Sequence, residues 1–257
     1  MTAGERAYAR LYVPGALDVS SVGLAADKTH YLRHVLRLER GDTIAVFNER
    51  DGEYLARIEA FGKGWCTLAI GARRRAPAPE PDLWLVFAPI KRARIDFLVE
   101  KATELGVSAL WPVFTQHTAV ARVNEERLGA IAIEAAEQSE RLTVPRIFPA
   151  GTLDAVLAKW PSERRLLVCD EAGGGAPIAE VLAREGTAGP HAILTGPEGG
   201  FAAAELDALR KLPFVSALGL GPRVLRADTA ALAALAVFQA LAEDRRKSPP
   251  PRRPSAE

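Results

Sequence analysis

Apolar positions recur along this chain in two different rhythms. Up to about residue 72 they come as short alternating or continuous runs, which predict strands at 10–13, 43–48, 53–60 and 65–70. Asp51-Gly52 supplies a tight turn between two of them. One helix interrupts, with Asp27 as its expected cap and Tyr31, Leu32, Val35, Leu36 and Leu38 as its apolar positions. Arg33, Arg37 and Arg40 fall between or after those positions, so the expectation is a small β-barrel with one basic surface. From Arg73 to Asp82 the rhythm breaks into three arginines followed by Pro77, Pro79 and Pro81. Proline with charge makes a stiff exposed linker, and the domain boundary is placed there, at 74/75.

Beyond the linker, strand and helix patterns alternate. Continuous apolar runs predict strands at 83–88, 109–114, 144–148, 166–170, 192–194 and 215–218. Helices fall between them: one on Ile95, Leu98, Val99, Ala102 and Leu105 closed by Gly106, one capped by Asn124, and others starting near Thr152, Pro177 and Ala202. This order argues an α/β domain over 75–245 with a parallel sheet. A last helix, capped by Asp228 or Thr229 and running to about Asp244, is apolar nearly all round and needs cover on more than one side, from the core or a second subunit. Residues 246–257, rich in proline, read as a disordered tail.

Composition narrows the class. A chain of 257 residues, 48% hydrophobic, with a net charge of +1, suits a globular protein with a sizeable core and no global attraction to nucleic acid. Residues 1–25 carry no signal-like apolar block and no run is long enough to cross a bilayer, so no membrane partner is expected. Cys66 and Cys169 stand far apart, which argues against a disulfide framework and for a cytoplasmic location. His30 and His34 have the spacing of a zinc pair, but no glutamate follows His30 and no cysteine cluster completes a shell, so no metal is expected.

The chemistry concentrates between His191 and Ala230. Two glycine-rich turns, Thr195-Gly196-Pro197-Glu198-Gly199-Gly200 and Leu218-Gly219-Leu220-Gly221-Pro222-Arg223, each follow an apolar strand and precede a helix. Such turns build ligand crevices at the carboxyl ends of parallel strands, because a main chain without Cβ atoms can touch a ligand directly. A dinucleotide fingerprint fails on spacing, since Val224 stands where a third small residue belongs, and no Gly-Lys-Ser/Thr sequence makes a phosphate loop. Cys169 and Ser139 have no adjacent base and read as packing residues.

Five blocks in register then resemble one family. They are His30-Tyr31-Leu32-Arg33-His34-Val35-Leu36-Arg37 with Gly41-Asp42, Glu100 to Val107, Ile133 to Ser139, Gly196-Pro197-Glu198-Gly199-Gly200, and Leu218-Gly219-x-Gly221 running into Leu225-Arg226-Ala227-Asp228-Thr229-Ala230. Together they look like the bacterial 16S ribosomal RNA (uracil-N3)-methyltransferases of the SPOUT superfamily. The resemblance implies a trefoil-knotted C-terminal sheet behind a PUA-like N-terminal barrel, S-adenosylmethionine as cofactor, a homodimer, and a uridine of 16S rRNA as target within the assembled small ribosomal subunit. The cofactor is expected on Leu194, Gly196, Glu198, Gly199, Leu218, Gly219, Gly221, Val224, Leu225 and Thr229. Arg226 is the expected catalytic residue, near the reacting base. Arg10, Arg33, Arg37, Lys91, Arg92 and Arg141 are the expected RNA contacts. The chain departs from the family pattern at Asp228, where Glu is frequent, at His117, where Arg is common, and at Glu140, where Gly is usual.

Overall fold

The computed structural model describes residues 7–78 and 80–242, together with the main chain but not the side chain of Arg92. The tail expected over 246–257 lies outside the described residues. The chain divides into two compact units, Met1–Pro79 with Ala136–Val144, and Glu80–Ala135 with Pro145–Glu257.

The first unit is a five-stranded, barrel-like sheet in the order β1-β3-β4-β5-β2. Its strands are β1 (Arg10–Tyr12), β2 (Ser21–Leu24), β3 (Thr43–Asn48), β4 (Gly52–Gly62) and β5 (Trp65–Arg75). β3 alternates little because nearly all of it is buried, and Ile44 and Val46 join Leu11, Leu32, Ile58 and Leu68 in one core. The helical stretch is shorter and more distorted than the pattern predicts. α1 (Ala26–His30) passes directly into a π-helical turn, Tyr31–Val35, closed by Leu36 N–H donating to Tyr31 O at 3.0 Å. Arg37 then ends it at φ 56°. Ala25, not Asp27, is the N-cap, and Asp27 sits in the first turn, where a carboxylate still favours the helix dipole. Arg73 and Arg74 are not linker either: both extend β5, where Arg73 pairs across to Tyr54 and Arg74 lies 3.4 Å from Glu53.

Arg10 organises this unit. Its guanidinium is buried, donates from Nε to Glu53 Oε2 at 2.6 Å, and lies 3.5 Å over the Phe47 ring. Its Nη atoms donate to the main-chain oxygens of Ala136 and Arg141, the first at 2.7 Å. The Ala136 oxygen belongs to the last turn of the helix that ends at Gln138, so Arg10 supplies a cation where helix carbonyls lack partners.

The second unit is a parallel α/β sheet, ordered β11-β13-β10-β12-β6-β7-β8, with β9 pairing off the end of β7. Its main strands are β6 (Leu83–Phe87), β7 (Ala109–Phe114), β10 (Arg165–Cys169), β12 (His191–Thr195) and β13 (Val215–Gly219), and short bridges form β8 (Arg146–Ile147), β9 (Gly151–Thr152) and β11 (Ala176–Pro177). β12 is buried at every position, as expected of a strand covered on both faces. The helices are α2 (Arg92–Glu104), α3 (Glu125–Gln138), α4 (Leu153–Leu157), α5 (Ile178–Glu185), α6 (Ala203–Arg210) and α7 (Ala227–Leu241). Predicted punctuation holds at several ends. Asn124 Oδ1 accepts from Arg127 N at 2.9 Å, Thr152 Oγ1 accepts from Ala155 N, and Gly106 takes φ 85° beyond α2.

α7 begins earlier than the pattern suggests. Arg226 is its N-cap, so Asp228 and Thr229 lie inside the first turn rather than before it. One face, with Ala231, Ala234, Leu235, Phe238 and Gln239, is buried, while Ala236, Ala240 and Leu241 remain exposed. No helix among the described residues is long and apolar enough to cross a membrane.

Candidate active site

β13, β10 and β12 are neighbours, run in parallel, and end together at Leu218-Gly219, Cys169-Asp170 and Thr195-Gly196. A cavity of about 670 Å³ opens over these carboxyl ends. Its walls come from the loops after β10 (Asp170, Glu171, Gly173, Gly175), after β12 (Gly196, Pro197, Glu198, Gly200) and after β13 (Leu220 to Arg226). Glycines let these loops approach one another. A Cβ on Gly219 would stand 3.0 Å from Gly175 O, and one on Gly196 would stand 3.0 Å from the Phe201 ring. Gly175 is tighter, with Leu218 N and Cα both 2.7 Å from where its Cβ would be.

The loop after β13 presents unused donors. Among the described residues, the main-chain amides of Gly221, Arg223, Val224 and Leu225 meet no backbone carbonyl. Gly221 holds φ 100°, which only glycine adopts easily. A cavity with apolar cover and free main-chain donors suits a flat heteroaromatic ligand, whose edge takes hydrogen bonds and whose faces take apolar contact.

Side chains fix the walls to one another. Asp170, wholly buried, accepts from Arg210 Nη2 at 2.5 Å and from Ala172 N at 3.0 Å, which ties down the start of its loop. Glu171 Oε1 reaches across to accept from Phe201 N at 2.6 Å. Glu198 Oε1 lies 3.5 Å from Lys91 N at the start of α2, so it points to the helix before it in the chain and not to the one after. Cys169 lines the cavity, but burial pushes its thiol up to about 12, with nearby Glu171 adding to the effect. It is therefore neutral near pH 7 and no nucleophile.

Of the residues expected at the cofactor, Gly196, Glu198, Leu218, Gly219, Gly221, Val224 and Leu225 come together on this cavity. Leu194, Gly199 and Thr229 do not line it: Leu194 is buried in β12 among the apolar core, and Thr229 faces out from the first turn of α7. Arg226 lines it too, is exposed, and has no ion-pair partner among the described residues. Asp228, two residues on, faces Arg94 at 3.8 Å.

The expected RNA contacts separate. Arg33 and Arg37 are exposed, Arg33 with its guanidinium 5.7 Å from the Phe61 ring, and Lys91 is exposed at the start of α2. Arg10 and Arg141 are corrections. Arg10 is 6% and Arg141 7% exposed, and their guanidinium groups are engaged inside the first unit, Arg141 on Thr143 Oγ1. Burial with such partners leaves them no surface to offer a phosphate. The Arg92 side chain lies outside the described residues.

Sequence reasoning missed the third wall altogether. Gly173-Gly174-Gly175 after an apolar strand is the same signal that marked the other two turns, and it was available in the chain. It passed unnoticed because no motif spacing attaches to it.

The family described as "RNA methyltransferase domain" matches residues 77–239, and "RNA methyltransferase PUA domain" matches residues 24–70. The Rickettsia conorii protein named ribosomal RNA small subunit methyltransferase E is 34% identical over 236 residues, covering 91% of this chain and 96% of that protein. The chain belongs to the ribosomal RNA small subunit methyltransferase E family. Solved members of similar shape include the Neisseria gonorrhoeae ribosomal RNA small subunit methyltransferase E bound to S-adenosyl methionine. It is 31% identical, covers 91% of this chain and 97% of its own, and superposes with a TM-score of 0.81. A Legionella pneumophila methyltransferase in complex with the same cofactor is 28% identical, covers 91% and 98%, and has a TM-score of 0.80.

Proposed function

We propose that this chain transfers a methyl group from S-adenosylmethionine to N3 of a uridine in 16S rRNA. The observation that carries the reading is the glycine-walled cavity over β10, β12 and β13, with free main-chain donors, in a chain of this methyltransferase family. Gly196, Glu198, Leu218, Gly219, Gly221, Val224 and Leu225 would hold the cofactor, with Leu194, Gly199 and Thr229 behind or beside them. When bound, the cofactor supplies an electrophilic methyl on a sulfonium.

The protein's own part is to orient the uracil and favour loss of its N3 proton, since the imide nitrogen attacks only as the imidate. Arg226 suits that role: its guanidinium has no ion-pair partner among the described residues, and as N-cap of α7 it sits at the positive end of a 15-residue helix. Both features stabilise negative charge developing on a uracil oxygen. Water takes the proton. With Cys169 neutral, no thiolate at the cavity competes with the uracil nitrogen for the methyl group.

The wider reading extends the same proposal. Residues 1–74 act as a PUA-like RNA-holding domain and 75–245 as the methyltransferase domain, its chain threaded in the trefoil knot of the SPOUT superfamily. Arg33, Arg37, Lys91 and Arg92 meet rRNA in the assembled small subunit, in the cytoplasm. The exposed apolar side of α7, at Ala236, Ala240 and Leu241, supports a homodimer.

Incubation with labelled methyl donor and undermethylated small subunits, then mass spectrometry of the nucleosides, tests the reading. N3-methyluridine in 16S rRNA is expected. Absence of transfer, or calorimetric binding of NAD with none of S-adenosylmethionine, overturns it.

A further inference from the structure

The turn Gly196–Gly200 forms one wall of the cavity, yet it has little main-chain support of its own, chiefly Gly200 N donating to Pro197 O at 3.0 Å. Its far end is held from outside. On one side Glu171 Oε1 accepts from Phe201 N. On the other, the segment after β7 brings His117 against it, with Nδ1 3.2 Å from both Gly199 O and Gly200 O. The absence of a Cβ on Gly199 permits this, since one would stand 3.3 Å from His117 Cβ.

Two carbonyl oxygens converging on one ring nitrogen require that nitrogen to carry the proton, so Nδ1–H is the donor and both carbonyls accept. The segment bearing His117 is itself anchored. Gln116 N donates to Glu205 Oε1 at 2.8 Å, while Glu205 Oε2 accepts from Ala202 N just beyond the same turn. Thr118 Oγ1 accepts from Thr115 N at 2.9 Å and closes the segment on itself. The imidazole therefore sits on a braced support, and what it grips is a turn with, among the described residues, a single main-chain hydrogen bond of its own.

We infer that His117 is a positioning residue for the methyl donor, its Nδ1–H latching the Gly199–Gly200 peptides so that Pro197, Glu198 and Gly200 keep their place in the cavity wall. This rests on the proposed function for the identity of the ligand. The latch acts on donor affinity and not on the chemical step, because His117 itself is not among the cavity-lining residues.

His117→Ala and His117→Asn separate the possibilities, since the Asn amide nitrogen occupies nearly the place of Nδ1 and still donates. Calorimetric titration with S-adenosylmethionine is expected to show affinity lowered about 3- to 10-fold in His117→Ala, the range for one lost hydrogen bond, and largely restored in His117→Asn. The KM for the donor moves in parallel while kcat stays within about 2-fold. In ligand-free protein, amide hydrogen exchange at residues 198–201 accelerates in His117→Ala and returns in His117→Asn. Unchanged affinity and exchange in a folded His117→Ala overturn the latch, as does a fall in kcat alone or an Asn variant no better than Ala. Wild type that binds no S-adenosylmethionine at all sinks the functional reading instead. The exchange data then still decide whether the latch exists.

Discussion

Gly175→Ala is the sharpest test of a cavity walled by main chain. The new Cβ would overlap Leu218 C and stand 2.7 Å from Leu218 N and Cα, whereas ordinary contact begins at 3.4 Å, so loop and strand must part by about 1 Å. Leu218 and Gly219 are backbone in a paired strand, and no side-chain rotation relieves the clash. Gly219→Ala is the graded companion: its Cβ meets Gly175 O at 3.0 Å, which needs a shift of about 0.4 Å. Misplacing reacting groups by about 1 Å can cost about 100-fold in rate. On a log-linear scale, about 1 Å predicts a fall of roughly 100-fold in kcat/KM for the donor, and about 0.4 Å a fall of roughly 6-fold. Overpacking also costs about 1–3 kcal/mol of stability, too little to unfold a domain holding about 5–15 kcal/mol. Gly129→Ala, inside α3 with its nearest neighbour 4.0 Å from the new Cβ, is the control and should be as active as wild type. Steady-state methylation and calorimetric donor titration of the three variants, with melting curves to confirm folding, read the series. A folded Gly175→Ala that binds donor and turns over like wild type refutes the reasoning, and so does a reversed order of Gly175 and Gly219.

Arg10→Met should destabilise the first unit by about 1.5–3 kcal/mol, because it removes the closest cation from buried Glu53, leaving only the longer pairs to Arg74 and Arg75, and uncaps the end of α3. Urea unfolding measures it; a loss below about 1 kcal/mol would show that the pair is not essential, and lowered RNA affinity in a fully folded variant would restore Arg10 as an RNA contact. Burial holds the Cys66 and Cys169 thiols up at about 11 and about 12, so both stay protonated at pH 8 in the folded chain and titrate near their ordinary value, about 8.5, once unfolded. Iodoacetamide at pH 8 should label both in urea and neither within the same time without it; rapid native labelling of Cys169 with loss of activity contradicts the burial argument. Arg226→Ala should lower the single-turnover rate at every pH while preserving its log-linear rise with pH; a wild-type rate flat across neutral pH, with chemistry limiting, excludes imidate formation as the step Arg226 assists. Glu140 holds φ 59°, a conformation costing a side chain about 1–2 kcal/mol, against about 0.5–1 kcal/mol for the extra freedom of an unfolded glycine. Glu140→Gly should therefore be neutral or stabilising and Glu140→Val destabilising; thermal melts showing the reverse order would remove the strain.

Much of the fold was legible because its evidence is local. β6, β10 and β12 are continuous apolar runs covered on both faces, and the chain writes that burial directly into Leu83 to Phe87, Leu166 to Cys169 and Ala192 to Leu194. β2 escaped notice because only Leu24 of its four residues is buried, and β9 and β11 because two residues carry no period. The burial of Arg10 and Arg141 was illegible for a different reason. Whether a guanidinium faces water depends on partners remote in the chain, and Arg10 is held by Glu53, 43 residues away, and by Ala136, 126 away. No local pattern distinguishes that arginine from Arg33.

The same contrast explains the family departures. At 140 the backbone turns left-handed, the conformation glycine takes most easily, and the carbonyl of Glu140 accepts from Arg75 Nη1 at 2.8 Å, a main-chain role that either residue fills. Asp228 is shorter than the frequent glutamate and is not a cap, yet inside the first turn of α7 it keeps a carboxylate where the helix dipole favours one. At 117 an imidazole replaces a guanidinium, and what the structure requires there is an N–H aimed at Gly199 O and Gly200 O, which both side chains possess. In each case the position demands a conformation, a charge or a donor and not a particular residue. A site built from main chain tolerates such exchanges, whereas Gly175, pressed against Leu218, has no substitute.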